Sequence, residues 1–572
     1  MEMLAKRTMT VTGLALLFLA PIITALVAPA ARAQVPNIGD AIKQSTPPPN
    51  EARPAPPPEK PIIMQEEKPF SLPEGEKILV NRFVLEGAPK AEEAALSAIL
   101  ESYRGKELAM AEITEAVNKL TLHLRDKGYL VAQALVPKQD ATSGILTIRI
   151  VLGTYGKFSL KNTSHVRDFL LDGVFDRAKG ASPVVTAQSI ERAIMLVREM
   201  PGARLPTVTV APGQAPGSSD FDVNVEAGPR FDGYIMADNQ GSKYTGRNRF
   251  FGGLNVNSPF GTADRFSVSG MTTDETRDLQ NVRLAYGFPL TYSGLRAELA
   301  ASRTTYQLGG DYDVLDATGS ADVLEGTFSY PLQRTHDVSM DFLLNLAYKK
   351  LKDDLGTFDL ENPRHISVAT LSFSRSRYGK LFGLPLFTTI SAGVDLGRLS
   401  FEDDAQQTMN EAGANTAGTY SKATLTLSGE VLFTGKLSLK GGIKLQKSFS
   451  GNLDPTEQLF ISGTTGVKTY TEGISFDNGY VANAELRYSL PTLFGVKHSL
   501  GLFADNGYVY AQNGDYTTND RITLTDAGLG YYLSFKQFFG TAQVAKPIGR
   551  SRGNIIESDP GTRVLGQIGF TF

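Results

Sequence analysis

From Lys422 to Phe433 apolar and polar residues alternate. One parity carries Ala423, Leu425, Leu427, Val431 and Phe433, and the other carries Lys422, Thr424, Thr426, Ser428 and Glu430. From Lys436 to Gln446 the split is Leu437, Leu439, Ile443 and Leu445 against Lys436, Ser438, Lys440 and Lys444. From Tyr480 to Leu490 it is Tyr480, Ala482, Ala484, Leu486, Tyr488 and Leu490 against Asn483, Glu485, Arg487 and Ser489. A period of two with one apolar face is a strand between two different solvents. Full charges on the polar face distinguish two settings. A soluble sandwich points its apolar face at a second sheet, whereas a membrane barrel points it at lipid and its charges at a wet lumen.

Spacing favours the barrel. Roughly sixteen such segments fill residues 230–572, most about ten residues or longer, the length that crosses a bilayer at a tilt. Their connections alternate. Short ones include Ser258 to Thr262, Thr291 to Gly294 and Thr434-Gly435; long ones run from Gln307 to Ala321, Lys352 to Arg364, Phe401 to Tyr420 and Ser450 to Asp477. Short turns on one side and long loops on the other mark an outer-membrane barrel. The last segment puts Val564, Gly566, Ile568, Phe570 and Phe572 on one face and ends the sequence.

Composition removes several chemistries. The chain has 572 residues with no Cys, so disulfides, thiolate chemistry and Cys-ligated metals are excluded. A net charge of −3 gives no reason to expect nucleic acid as a partner. The five histidines are scattered without the spacing of a zinc motif, and no phosphate loop or nucleophile elbow is present. No catalytic residue, metal or cofactor is expected.

Upstream of the barrel the chain changes character three times. Lys6 and Arg7 precede an apolar stretch from Val11 to Val27, and Ala31-Arg32-Ala33 offers a cleavage site. Residues 1–33 therefore read as a signal peptide, with an uncleaved anchor as the alternative. Residues 34–46 contain PNIGDAIKQ, a short helix with Ile38, Ala41 and Ile42 on one face; a leader with no structure of its own is the alternative. Residues 47–75, with PPP twice and many Glu and Lys, predict an extended, mobile linker. Two α/β units come next, 76–153 and 154–229, each reading β-α-α-β-β. In the first, Ile113, Val117, Leu120 and Leu124 recur at helical spacing before Gly128. Edges of such units can accept an extended client as an added strand, or the units are plain spacers.

Signal peptide, Pro-rich tether, two β-α-α-β-β units and a barrel together resemble the transporters of two-partner secretion, the TpsB or hemolysin-activator family of the BamA-like superfamily. The stretch Ile190 to Val210 (IERAIMLVREMPGARLPTVTV) looks like that family's second POTRA domain, and Asp238 to Gly261 (DNQGSKYTGRNRFFGGLNVNSPFG) like its first barrel hairpin. The resemblance implies a membrane β-barrel of sixteen antiparallel strands preceded by two periplasmic α/β POTRA domains. It also implies a sixth extracellular loop folded into the lumen with a Val-Arg-Gly-Phe/Tyr tip, and a Phe-x-Asp motif on strand thirteen. Here the tip position holds Val467-Lys468-Thr469-Tyr470, and Phe503-Ala504-Asp505 matches the strand motif. Parity independently puts Asp505 on the lumen face, with Ser499, Gly501 and Gly507. Lys468 keeps the charge of the family's Arg but not its planar fork. Thr469 stands where the family has Gly.

By this resemblance the chain would be a pore in the outer membrane with its POTRA domains in the periplasm. It would recognise an unfolded secreted exoprotein and pass it out through the barrel. The helix at 34–46 would occupy the resting lumen. Phe570 and Phe572 would form the C-terminal signal read by the barrel-assembly machinery, and lipid and lipopolysaccharide would surround the barrel. A BamA-like insertase for other outer-membrane proteins is the alternative.

Overall fold

The computed structural model describes residues 36–48, 62–64, 77–274, 278–517, 520–549 and 560–572. The expected signal peptide, 1–33, lies outside the described residues, as does most of the expected linker, 47–75.

Sixteen antiparallel strands, from Phe231–Asp238 to Arg563–Thr571, close into a barrel in sequence order. The first and last pair with each other from Tyr234↔Thr571 to Asp238↔Gln567. The parity read from sequence is the parity of the wall. Leu500, Leu502 and Leu486 face outward and are exposed, while Asp505, Lys422 and Glu485 face inward and are buried. Phe538 and Phe570 rings meet at 4.7 Å beside the closing seam, and Phe572 is half exposed on the outer face. Strands this regular resist detergent, so unheated protein should run differently on a gel from boiled protein, with β-structure dominating the circular dichroism. Identical migration would contradict the closed barrel.

Two long connections are shorter than the sequence predicts. Between Lys352 and Arg364 the strands Val338–Leu355 and Leu360–Leu381 continue until a single 3-10 turn, Gly356–Phe358. Likewise Ala317–Arg334 begins inside the stretch expected as loop 307–321. Loop-like composition misleads here. The extended wall residues Leu351, Leu355 and Ile366 are buried because they pack on material inside the barrel. The longest excursion, residues 449–477, falls between strands Leu437–Ser448 and Asn478–Ser489, and it turns inward.

Helix α1, Ile38–Gln44, lies in that interior. Asn37 caps it, accepting from Gly39 N–H at 2.9 Å, while Asp40 returns the bond from Asn37 N–H at 2.9 Å. Strand β1, Ile62–Met64, comes next. The first α/β unit has β2 Ile78–Val80, β3 Arg82–Glu86, α2 Glu93–Glu101, β4 Lys106–Leu108, α3 Met110–Asp126, β5 Gln133–Leu135 and β6 Ile145–Val151. Its core is built from Leu96, Leu100, Ile113, Leu120 and Leu124 against Leu146 and Ile148. β4, which pairs with β2, is an element the sequence pattern does not reveal, because it is only three residues long. The second unit has β7 Thr154–Asn162, α4 Asp168–Ala181, α5 Ala187–Arg198, β8 Thr207–Pro212 and β9 Ser218–Val225.

The linker expectation needs a correction. β1 lies within 47–75, yet it is an ordered strand, paired parallel to β8 from Ile62↔Val208 to Met64↔Val210. The sheet of the second unit thus reads β1-β8-β9-β7. Ile62-Ile63-Met64 is an apolar β-former triplet inside a Pro-rich tract, enough to satisfy an open sheet edge.

Candidate functional site: the lumen lock and the plug

The inward-folded loop is held at its tip by the wall strands that follow it, Lys497–Tyr510 and Arg521–Phe535. A two-strand ladder, Leu459–Phe460 with Ser475–Phe476, stiffens its base. Val467 N–H donates to Ile461 O at 2.7 Å, and Gly463 N–H to Tyr470 O at 2.7 Å, closing a compact turn. All four tip residues, Val467, Lys468, Thr469 and Tyr470, are buried. Lys468 Nζ reaches Asp505 Oδ2 at 2.7 Å and sits 4.6 Å from the centroid of the Phe503 ring. An ammonium over an aromatic face adds an electrostatic attraction to the ion pair. The structure therefore brings Lys468, Phe503 and Asp505 together.

Sequence reasoning missed the third wall residue. Asp526, on strand Arg521–Phe535, lies opposite Asp505 in register. Its Oδ2 accepts from Thr469 N–H at 2.7 Å and from Thr469 Oγ1 at 3.1 Å. The residue that departs from the family's Gly thus supplies a hydroxyl donor as well as an amide. Farther along the loop, Glu457 is buried and meets Lys349 at 2.6 Å and Lys422 at 2.8 Å. Burial alone would raise its carboxyl, but the two ammonium groups hold it down at about 2.

Helix α1 plugs the other half of the lumen. Ile38 and Ala41 are fully buried and Ile42 packs on the same cluster, among Met236, Phe251, Leu351 and Ile366 of the wall. Polar clamps fix both ends. Ile38 N–H donates to Asp353 Oδ1 at 3.0 Å; Asp353 also binds Arg364 at 2.7 Å, and Arg364 binds Asp454 of the loop at 2.6 Å. At the C-terminal end, Arg249 Nη1 donates to Gln44 O at 2.8 Å while its fork holds Asp238 at 2.8 Å. Ser242 N–H donates to Gln44 Oε1 at 3.1 Å, and Ser242 Oγ to Glu472.

Plug and loop touch at Asp40. A Cβ on Gly473 would fall on the Asp40 carboxylate, so a larger residue there would displace it. Asp40 is buried and its Oδ1 has no hydrogen-bond partner. Burial pushes its carboxyl up to about 7, with Glu472 and Asp353 adding repulsion and the Asn37 bond opposing. None of Asp40, Glu472, Asp353 or Arg364 stands out in the sequence. Each is one charge in a polar stretch, and only the fold converges them.

A cavity of about 380 Å³ remains beside the lock, lined among others by Lys43, Lys440, Lys444, Glu485 and Tyr532. Among the described residues, no cluster of His, Cys, Asp and Glu has a metal-binding arrangement.

A closed sixteen-strand barrel with a helix and an inner loop in its lumen and α/β units before it has the architecture of an outer-membrane transporter. Residues 217–533 match the haemolysin secretion/activation proteins ShlB/FhaC/HecB, and residues 78–153 match the ShlB-type POTRA domain, so the chain belongs to the ShlB/FhaC/HecB family. It is similar to the heme/hemopexin transporter protein HuxB of Haemophilus influenzae, 23% identical over 80% of this chain and 81% of that one. It is also similar to the outer membrane transporter CdiB of Dickeya dadantii, 24% identical over 74% of each. The solved structure of CdiB from Escherichia coli has the same fold, with a TM-score of 0.71, 19% identity, and coverage of 94% of this chain and 95% of that one. The protein is a two-partner secretion transporter of the outer membrane, with its POTRA domains in the periplasm. Its family is one of secretion pores rather than enzymes.

Proposed function

We propose that the protein recognises one unfolded exoprotein through the sheet edges of its α/β units and threads it through the barrel, past an inner loop that stays locked to the wall, once α1 yields. The observation that carries this reading is the pairing of β1 with β8. An extended segment of the chain itself is already accepted as an added strand at the second unit's edge. A client strand of similar apolar content has the same backbone bonds to offer. β1 then competes with the client, and its displacement draws on the tether that leads back to α1.

In the same reading, Lys468, Thr469, Phe503 and Asp505, with Asp526, pin the loop to the wall. Ile38, Ala41 and Ile42 seat the plug. Phe570 and Phe572 serve as the C-terminal signal for the barrel-assembly machinery, supported by their place beside the closing seam. No step requires a catalytic group.

The test uses purified full-length protein and the N-terminal segment of its exoprotein. Deleting Ile62–Met64 should tighten binding several-fold, roughly the 1 kcal/mol of a short strand's competition. Unchanged affinity would remove β8 as the client's edge.

A further inference from the structure

The second α/β unit is bracketed to the barrel rim, chiefly through helix α5. Arg192, midway along α5, points its guanidinium at the periplasmic rim. Nη2 donates to Ser293 O at 2.9 Å and to Pro331 O at 2.7 Å, and Nη1 donates to Leu332 O at 3.1 Å. Ser293 belongs to the turn after strand Leu279–Pro289, whereas Pro331 and Leu332 belong to strand Ala317–Arg334, so one side chain ties two separate hairpins to the helix. Backbone carbonyls at a sheet rim are ordinarily paired or hydrated. Here three converge on a single donor fork whose planar shape suits them.

Neighbouring residues on α5 and just past it extend the bracket. Glu199 meets Arg334 Nε at 2.6 Å, and Arg334 turns its other arm to Asp341 of the next strand. Glu191 meets His336 at 3.6 Å in the turn beyond. Leu196 closes on Gly294, whose φ of +99° and lack of a Cβ allow the approach. Elsewhere on the unit, Arg167 N–H donates to Gly261 O at 3.0 Å, and the Tyr292 ring lies against Gly173. Three successive periplasmic turns are thus gripped on one side of the barrel.

We infer that Arg192 is a positioning residue for secretion: it locks the second unit to the barrel rim as one rigid body, so that a client held on that unit's sheet is presented to the lumen from one fixed place. The inference rests on the reading that the units recognise the client. It adds that recognition and delivery are separable, because Arg192 touches the rim and not the sheet edge at β8.

The chain's lack of cysteine makes the test clean. Two labelling cysteines, one on the second unit and one on the rim, should give a narrow distance distribution by pulsed electron spin resonance in the otherwise unchanged protein and a broad one in Arg192→Ala. This measurement needs no client, so its failure is distinct from failure of the recognition reading, which would show as no binding of the exoprotein's N-terminal segment to any variant. In Arg192→Ala, binding of that segment should stay at its original affinity, while secreted exoprotein falls at least about tenfold, as loss of several charge-assisted bonds implies. Arg192→Lys keeps the charge and should fall part-way, because a point ammonium cannot hold three divergent carbonyls. A short thiol crosslinker across Glu191→Cys and His336→Cys should restore secretion to Arg192→Ala and spare it in the Arg192 background. Equal distance distributions, weakened client binding in Arg192→Ala, or a crosslink that stops secretion in the Arg192 background would each overturn the inference. If Arg192→Ala fails to insert, the Arg192→Lys variant and the crosslink in the Arg192 background carry the same decision.

Discussion

Lys468→Ala should lower secretion of the exoprotein about a hundredfold while leaving barrel insertion intact. The lysine is one half of a buried pair with Asp505 at 2.7 Å. Removing one partner of such a pair typically costs about 3–5 kcal/mol, because the other charge stays buried without compensation. Asp505→Ala should do the same. Asp526→Ala loses the two bonds from Thr469 and should fall about tenfold. Lys468→Arg should secrete at least as well as the natural sequence. Asp505 and Asp526 are register partners on adjacent strands, and a guanidinium offers them a planar fork of donors where an ammonium is a single point charge. The decisive comparison is the exchange of Lys468→Asp with Asp505→Lys. The introduced lysine then lies beside both the new aspartate and Asp526, so secretion should recover part-way from either single reversal. If the exchange does no better than the singles, with normal insertion of all three as judged by heat-modifiable migration, the two residues do not act as a pair.

The lock also shows what a sequence reading of this chain can and cannot reach. Asp505 is legible because its neighbours alternate cleanly: Leu500 and Leu502 face lipid, and Gly501 and Gly507 stand with it on the inner face. Asp526 is not. On its strand the inner parity carries Ile522, Leu524 and Tyr532, which are buried, Ile522 and Leu524 in one cluster with the loop. An inner face covered by protein looks as apolar as one facing lipid, and the polar-in, apolar-out rule loses its contrast. The same covering explains the misjudged loops. Leu351, Leu355 and Ile366 line wall that rises around the plug, so strand continues where polar composition predicts a turn. The plug's own face, Ile38, Ala41 and Ile42, is legible from helical spacing alone. Its clamps are not, since Asp353 and Arg364 come from one hairpin and Arg249 from a strand far earlier in the chain, all of them distant in sequence from the helix they hold. The tripeptide at Ile62–Met64 is hidden for another reason. A short apolar run in a Pro-rich tract has no partner in its own neighbourhood, and only the vacant edge of β8 makes it a strand.

Deleting Pro36–Gln44 should raise single-channel conductance in planar bilayers several-fold, and the intact protein should approach that state as the pH rises. The first half rests on the seat of α1, whose apolar face is buried among Met236, Phe251, Leu351 and Ile366 inside the barrel. The second rests on Asp40. Seated, the carboxyl is raised to about 7 by burial, with Glu472 of the loop and Asp353 of the wall adding to it. Released into water it returns to the ordinary value near ~4. The polar and charged groups around it are Asn37, which caps the helix, Glu472 from the loop, Asp353 with Tyr306 and Arg364 from the wall, and Asp454 behind Arg364. A group whose seated value is raised favours seating fully below its free value and loses that contribution as pH climbs through the seated one. Between about pH 5 and pH 8 the balance should therefore move on the order of a hundredfold toward the open lumen. Asp40→Asn keeps an acceptor for Asn37 N–H and cannot ionise, so its plug should stay seated across that range. Glu472→Gln removes one facing carboxylate, which lowers the seated value of Asp40 and should shrink the pH-dependent swing. Conductance independent of pH in the intact protein, or the same pH profile in Asp40→Asn, would show that Asp40 does not govern the plug. An unchanged conductance in the deletion would show that α1 does not block the lumen at all. The separation matters physically: the apolar face of α1 favours the seated helix by the same amount at every pH, and the proton on Asp40 sets how far that preference is offset.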